Sequence, residues 1–241
     1  MGQFRNRTGL CMLCLCAALM LATLAARADR YGELSYAILR DGTVEITGFT
    51  GGGTAVDIPT EIDGMAVTAI GERAFAGNAG LERIAMPEGV LTLGDGAFAD
   101  CYSLEEVSVP STVEAVGENP FAGCENLRKL EVRVGQGCLT VINGALFSDE
   151  GRRLIFCPRV LPMERYVAPE GTESIDARAF SQCSRLLSVA LPDTVTAIGD
   201  DAFEGRANLT LVVGRGSRGE EYAKQNDIKY TYPDAATWLA D

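Results

Sequence analysis

Three cysteines stand at one recurrent place in this 241-residue chain: Cys101, Cys124 and Cys183 each follow a phenylalanine by three residues. Thiols in register could hold a metal or exchange electrons. Zinc, however, needs about four ligands converging on one point. Positions that recur along a chain are spread out in space, so the cysteines are expected to be small buried residues at a corner. Asn78 and Arg206 hold the same place elsewhere. Cys138 and Cys157 fall in an irregular stretch and are the one pair whose bridging the sequence leaves open. A second candidate is Gly214-Arg-Gly-Ser-Arg-Gly219, which has the glycine spacing of a dinucleotide loop between an apolar strand and a short helix. About eight helical residues are few for a parallel crossover, and a helix closing the end of a stack explains the same residues. The sequon at Asn208 precedes an apolar ladder residue, Leu209, and reads as coincidence. Ser148-Asp-Glu-Gly151 and Gly199-Asp-Asp201 are too short for a calcium loop.

The chain contains no histidine. That removes the commonest general base, the imidazole metal ligands, and every Ser-His or Cys-His nucleophile pair. No catalytic residue, cofactor or metal ligand is therefore assigned, and an enzyme is not expected. An exported hydrolase using a carboxylate pair is the alternative, and a purely structural envelope protein is another. The net charge of −12 disfavours nucleic acid and anionic membrane as partners.

Residues 1–28 carry Arg5 and Arg7, then an apolar run, then Ala26-Arg-Ala28. This is the three-part form of a cleaved secretory signal peptide; a retained membrane anchor is the rival reading. The segment holds three arginines and no acid, so its loss leaves the remainder still more acidic. A secreted or cell-surface protein without membrane contact, and a monomer, is expected.

The elements that position these residues come from repetition. Phe75, Phe98, Phe121, Phe180 and Phe203 are separated by 23, 23, 59 and 23 residues, and Leu81, Leu104, Leu127, Leu186 and Leu209 move with them. A 23-residue unit cannot bury its own apolar face, but stacked units can. "LERIAMP" reads as a strand with Ile84 and Met86 inward, "VTAIG" as a second strand, and "RAFAGNAGL" as the return. The extra 36 residues hold "VINGALFSDEGRRLIFCP", read as a diverged coil on Ile142 and Phe147 with a hairpin turn at "SDEG", followed by the strand "RYVAP".

The segments "IGERAFAGNAGLERIAMP", "AFADCYSLEEVSVPSTVEAVG" and "AFSQCSRLLSVALPDTVTAIG" resemble the bacterial BspA-like leucine-rich repeats, and the likeness extends over roughly residues 34–232. The resemblance implies a leucine-rich-repeat solenoid, exported, of a kind associated with adhesion and protein binding, with no common catalytic residues. The organisation expected is a signal peptide (1–28), an N-terminal β module (29–69), the solenoid (70–213, irregular over 134–168) and a C-terminal helix-strand cap and tail (214–241).

Because side chains alternate along a strand, the outward positions are Arg83 and Ala85, Glu106 and Ser108, Lys129, Glu131 and Arg133, and Ser188 and Ala190. Stacking sets these in rows on one face. Arg83, Glu106, Ser108, Lys129, Glu131, Arg133 and Ser188 are the candidate contacts for an extracellular protein or glycan.

Overall fold

The computed structural model describes residues 29–133, 135, 137–159, 163–181, 183–205 and 208–235. Residues 1–28, expected above to be a signal peptide, Arg206, and the tail residues 236–241 lie outside the described residues.

The chain opens with β1 (Asp29–Tyr31), β2 (Leu34–Ile38) and β3 (Val44–Phe49), followed by β4 (Ala55–Asp57), β5 (Glu61–Ile62) and β6 (Met65–Ile70). The regular coils then supply two short strands each: β7 (Arg83–Ala85) and β8 (Thr92–Leu93), β9 (Glu106–Val109) and β10 (Ala115–Val116), then β11 (Lys129–Val132). The irregular stretch gives β12 (Thr140–Ile142), β13 (Ala145–Ser148) and β14 (Arg153–Phe156). Regular coils resume with β15 (Arg165–Val167), β16 (Ser174–Ile175), β17 (Ser188–Ala190), β18 (Ala197–Ile198) and β19 (Thr210–Val212), closed by helix α1 (Arg218–Gln225) and β20 (Lys229–Thr231).

Coil-to-coil pairing is parallel, and it builds a β-solenoid whose walls are four sheets. One wall carries β4-β7-β9-β11 and, further on, β15-β17-β19-β20. The other carries β1-β2-β3-β6-β8-β10 and then β12-β13-β14-β16-β18. The N-terminal module is continuous with the stack: β3 pairs with β6 and β4 with β7, both parallel.

The repeat is enforced at the corner after the second strand. Gly71, Gly94, Gly117 and Gly199 follow the apolar residue there, and each donates its N–H to the preceding coil. A Cβ at Gly94 would stand 2.6 Å from the Gly71 carbonyl carbon, so the coils approach closely only because the side chain is missing. Two residues later the backbone turns left-handed, at Arg73, Gly96, Asn119, Arg178 and Asp201. That turn aims the phenylalanine into the core.

The phenylalanines stack. Phe75 and Phe98 lie 5.3 Å apart between centroids, Phe98 and Phe121 5.5 Å, and Phe180 and Phe203 5.0 Å. Phe49 and Phe156 close the first stack; Tyr166 and Tyr222 close the second. Offset stacking adds about 0.5–1.5 kcal/mol per pair to the burial itself.

The irregular stretch is a hairpin, but not a coil on Ile142 and Phe147. Asn143 and Gly144 take positive φ and fold the chain back, so β12 pairs antiparallel with β13, and β13 with β14. The residue that keeps the repeat is Cys157, 23 residues before Phe180. Its N–H donates to Ala179 O as that of Phe180 does to Ala202 O. Leu146, Ile155 and Phe156 join the first core, whereas Ala145, Phe147, Leu154 and Cys157 join the second. The hairpin is thus a wall buried on both faces.

Candidate functional site

On the first sheet the outward residues fall in register across strands. Ala55, Arg83, Glu106 and Lys129 form one row; Asp57, Ala85, Ser108 and Glu131 form a second. Between them Ile84 and Val107 point inward and are fully buried. Arg83, Lys129, Glu131 and Arg133 are exposed, and Glu106 and Ser108 are half-buried. A shallow depression of about 210 Å³ runs over Arg83, Glu106, Ser108, Lys129 and Glu131.

The charges in these rows answer one another. Lys129 Nζ stands 3.1 Å from Glu131 Oε1 and 3.8 Å from Glu106 Oε2. The hydrogen bond to Glu131, and then the charges of Glu106 and Glu131, hold the Lys129 ammonium above its ordinary pKa. Arg133 lies just past the end of β11 and reaches Glu88 at 3.2 Å across two coils. Exposed pairs of this kind contribute about 0–1 kcal/mol each. They order the side chains weakly, so a partner can displace them at small cost.

Ser188 and Ala190 depart from the sequence reading. Register puts them on the outward face of the second sheet, beside Arg165 and Val167 on one side and Thr210 and Val212 on the other. Both are nevertheless buried, and Ser188 Oγ donates to Thr210 O at 3.2 Å. A small side chain between longer neighbours has little surface to offer, and Ser188 does not join the exposed patch of the first sheet.

The cysteine ladder is a hydrogen-bonding device of the core. Cys101 Sγ donates to Phe75 O at 3.1 Å, Cys124 Sγ to Phe98 O at 3.1 Å, and Cys183 Sγ to Cys157 O at 3.0 Å. Each thiol thus satisfies the carbonyl of the coil before it. Burial pushes the Cys101 thiol up to about 11 and raises Cys124 further, which keeps both protonated and unreactive. The bridging question left open for Cys138 and Cys157 is resolved against that pair: Cys157 sits in the second core against Cys183, and Cys138 packs on the first. No group of three or more His, Cys, Asp or Glu able to hold a metal occurs among the described residues.

The glycine-rich loop is filled by the protein itself. Ser217 caps α1 by accepting from Glu220 N at 3.2 Å, and Glu220 Oε2 accepts the Gly216 N–H at 2.6 Å. Lys224 and Tyr232 bind the other oxygen of Glu220, at 2.7 and 2.9 Å. A carboxylate therefore occupies the place where a phosphate would sit. A Cβ at Gly219 would meet Val213 Cγ1 at 2.7 Å, so that glycine serves helix packing.

One constellation escaped the sequence reading. Arg153 forks onto Asp176, with both hydrogen bonds at 2.7 Å, and donates to Val116 O at 2.9 Å and Gly117 O at 3.0 Å. The pair is largely buried. It joins the last regular coil of the first stack to the first of the second, where the strand ladder is interrupted by the hairpin. The signal was present: Asp176 holds the slot that is glycine in the other coils, and an arginine opens the hairpin's last strand.

The parallel coils define a leucine-rich-repeat solenoid with a polar strand face. The family of the BspA type Leucine rich repeat region matches residues 56–150 and 155–215 in six copies, and the chain belongs to that family. Among solved structures it is similar to a leucine-rich repeat protein of T. pallidum, with 26% identity over 77% of this chain and 71% of that one, TM-score 0.45. It is also similar to a leucine rich cell surface protein from Faecalibacterium prausnitzii, with 20% identity over 80% and 78%, TM-score 0.45. A third is the pneumococcal vaccine antigen PcpA, with 18% identity over 80% and 71%, TM-score 0.46. No curated protein matches the chain.

Proposed function

We propose that this protein is an exported, non-catalytic scaffold that holds an extracellular protein or glycan against the outward face of its first strand sheet. The observation that supports this reading is the pair of in-register rows carrying Arg83, Glu106 and Lys129 and, beside them, Ser108 and Glu131, with Arg133 at the rim. Alternating charge in register favours a partner of mixed charge or a hydroxyl-rich one over a uniformly anionic polymer. The leader at 1–28 supplies the route outside the cell.

The test is capture from extracellular extracts with the chain lacking residues 1–28, followed by affinity measurement on the triple variant Lys129→Ala, Glu131→Ala, Arg133→Ala. Binding is expected to weaken at least tenfold with folding unchanged. Unchanged affinity would move the contact off this face. Fractionation of producing cells into medium, wall and membrane tests export.

A further inference from the structure

The wall that carries the charged rows is broken at the joint. β11 ends its first sheet and β15 begins its second, and the two do not pair. On β11 the N–H groups of Lys129 and Arg133 donate back to Glu105 O and Val109 O, both at 3.0 Å. Backbone groups alternate in direction along a strand, so those of Leu130 and Val132 point the other way, toward the joint. Neither residue has a strand partner on that side among the described residues.

The side chains are open on that side as well. In the coils before it, the matching inward residues Ile84, Val107 and Val109 are fully buried. Leu130 and Val132 pack on the first core but are only half-buried. Beside Val132 lies a depression of about 410 Å³, lined in part by Val113, Leu139 and Val141. Val141 is 40% exposed. An edge of unpaired backbone next to an apolar hollow is a template for one more strand.

We propose that an extended segment of a partner protein joins the first sheet along β11, bonding to the backbone of Leu130 and Val132 and setting an apolar side chain in the hollow beside Val132. The proposal rests on the first sheet being the contact face, and it identifies the partner as a protein. In additions of this kind main-chain bonds supply affinity and pockets for alternate side chains supply specificity. The sequence required of the segment follows from alternation: apolar inward, polar outward. Lys129 and Arg165 each open their strand on the outward side. An acidic residue in that row of the added segment complements both. The place also selects for thinness. β11 stands mid-wall with β15 beyond it, so a single extended chain can lie along it, whereas the flank of a second solenoid meets β15 first.

Hydrogen exchange in the free full chain tests the edge. The Leu130 and Val132 amides should exchange at least tenfold faster than those of Glu131 and Arg133. Equal protection would mean that the edge is already covered, and overturns the proposal. Protection that grows with protein concentration would make the occupant a second copy, and overturns it too. Binding is tested with a displayed library of random twelve-residue peptides selected on the full chain. Enriched peptides should alternate apolar and polar residues, with an acid among the polar ones, and should slow exchange at Leu130 and Val132. Methylating every second backbone amide of such a peptide should lower affinity at least tenfold in one alternating set and spare it in the other, a test that leaves the protein's own folding untouched. Val132→Pro should cost as much, since it removes an N–H that β9 does not use. Selection of no alternating peptide, or affinity indifferent to both methylated sets, overturns the proposal. The two readings fail separately. Affinity lost in the triple variant Lys129→Ala, Glu131→Ala, Arg133→Ala but not on methylation keeps the contact face and rejects the added strand; the reverse keeps the strand and rejects the charged rows as the contact.

Discussion

The stack before the hairpin and the stack after it use the same 23-residue rule and end in opposite circumstances. In the first, the aromatic column runs from Phe49 through Phe75, Phe98 and Phe121 to Phe156, under an exposed, charged strand face. In the second, the column is Tyr166, Phe180, Phe203 and Tyr222, under a face whose middle strands carry Ser188, Ala190, Thr210 and Val212 and whose charges, Arg165 and Lys229, stand only on the outer strands, with α1 over the end. The interior is dictated by the need to fill a corridor of fixed width, so it repeats. The exterior is free of that demand, so it diverges. A repeat protein therefore keeps its individuality on its faces, joints and ends.

The sharpest way to test whether the two stacks are one cooperative body is to damage one column and watch the other. Phe98→Ala removes a fully buried ring and should cost about 3–5 kcal/mol. For a chain of this size that lowers the melting temperature by roughly 6–20 °C. Phe180→Ala should do the same. If the hairpin wall couples the stacks, either variant gives one calorimetric transition. Two transitions, with only the damaged half shifted, would make them separate units.

The joint should be nearly as sensitive. Arg153→Ala leaves the buried Asp176 carboxylate and the Val116 and Gly117 carbonyls without their donor, a loss of about 3–5 kcal/mol for a broken buried pair. The double change Arg153→Met, Asp176→Leu removes both charges and should recover much of that loss in the same melting experiment. A double variant as unstable as the single would mean the arginine acts through its contacts to Val116 and Gly117, not through the pair.

The cap sets the second stack apart by its pH dependence. Lys224, then the Gly216 N–H, then Tyr232 hold the Glu220 carboxyl down to about 2, from an ordinary 4.5. A depressed carboxylate contributes stability that is present above the ordinary pKa and lost as pH falls through the folded one. The cap contribution should therefore fade between about pH 4.5 and 2. Glu220→Gln should lower the melting temperature at pH 7 and flatten its fall over that window. An unaltered acid limb would remove Glu220 from the account.

The smallest effect is expected on the first strand face. Lys129→Ala lies at an exposed site and should change stability by no more than about 0.5 kcal/mol. A larger loss would mean that the row of charges is structural.

Most of the solenoid was legible because its cause is local and repeated. The recurrence of Phe, Leu and Ile at fixed offsets needs no knowledge of the neighbours, and it located the core residues, the inward Ile84 and Met86, and the exposed row from Arg83 to Arg133. The hairpin of β13 and β14 was legible from its turn at Ser148–Gly151 and the apolar runs on either side, yet the antiparallel pairing of β12 with β13 was not, because Ile142 and Phe147 carry the repeat's spacing by chance while Asn143 and Gly144 reverse the chain between them. Ser188 was placed on the right face and given the wrong exposure. Alternation fixes direction, whereas burial depends on what lies above.

By itself, then, the sequence determined the parallel coil, its 23-residue step and the inward ladders, because each follows from one unit needing a copy of itself to bury its apolar side. Only the tertiary structure decided that Cys157 stands where a phenylalanine would, that Arg153 joins Val116 and Gly117 to Asp176, and that Glu220 fills its own glycine loop. Each of these is a meeting of residues from different coils or loops. Such meetings are set by how the interruption in the stack is packed, and no periodicity records them.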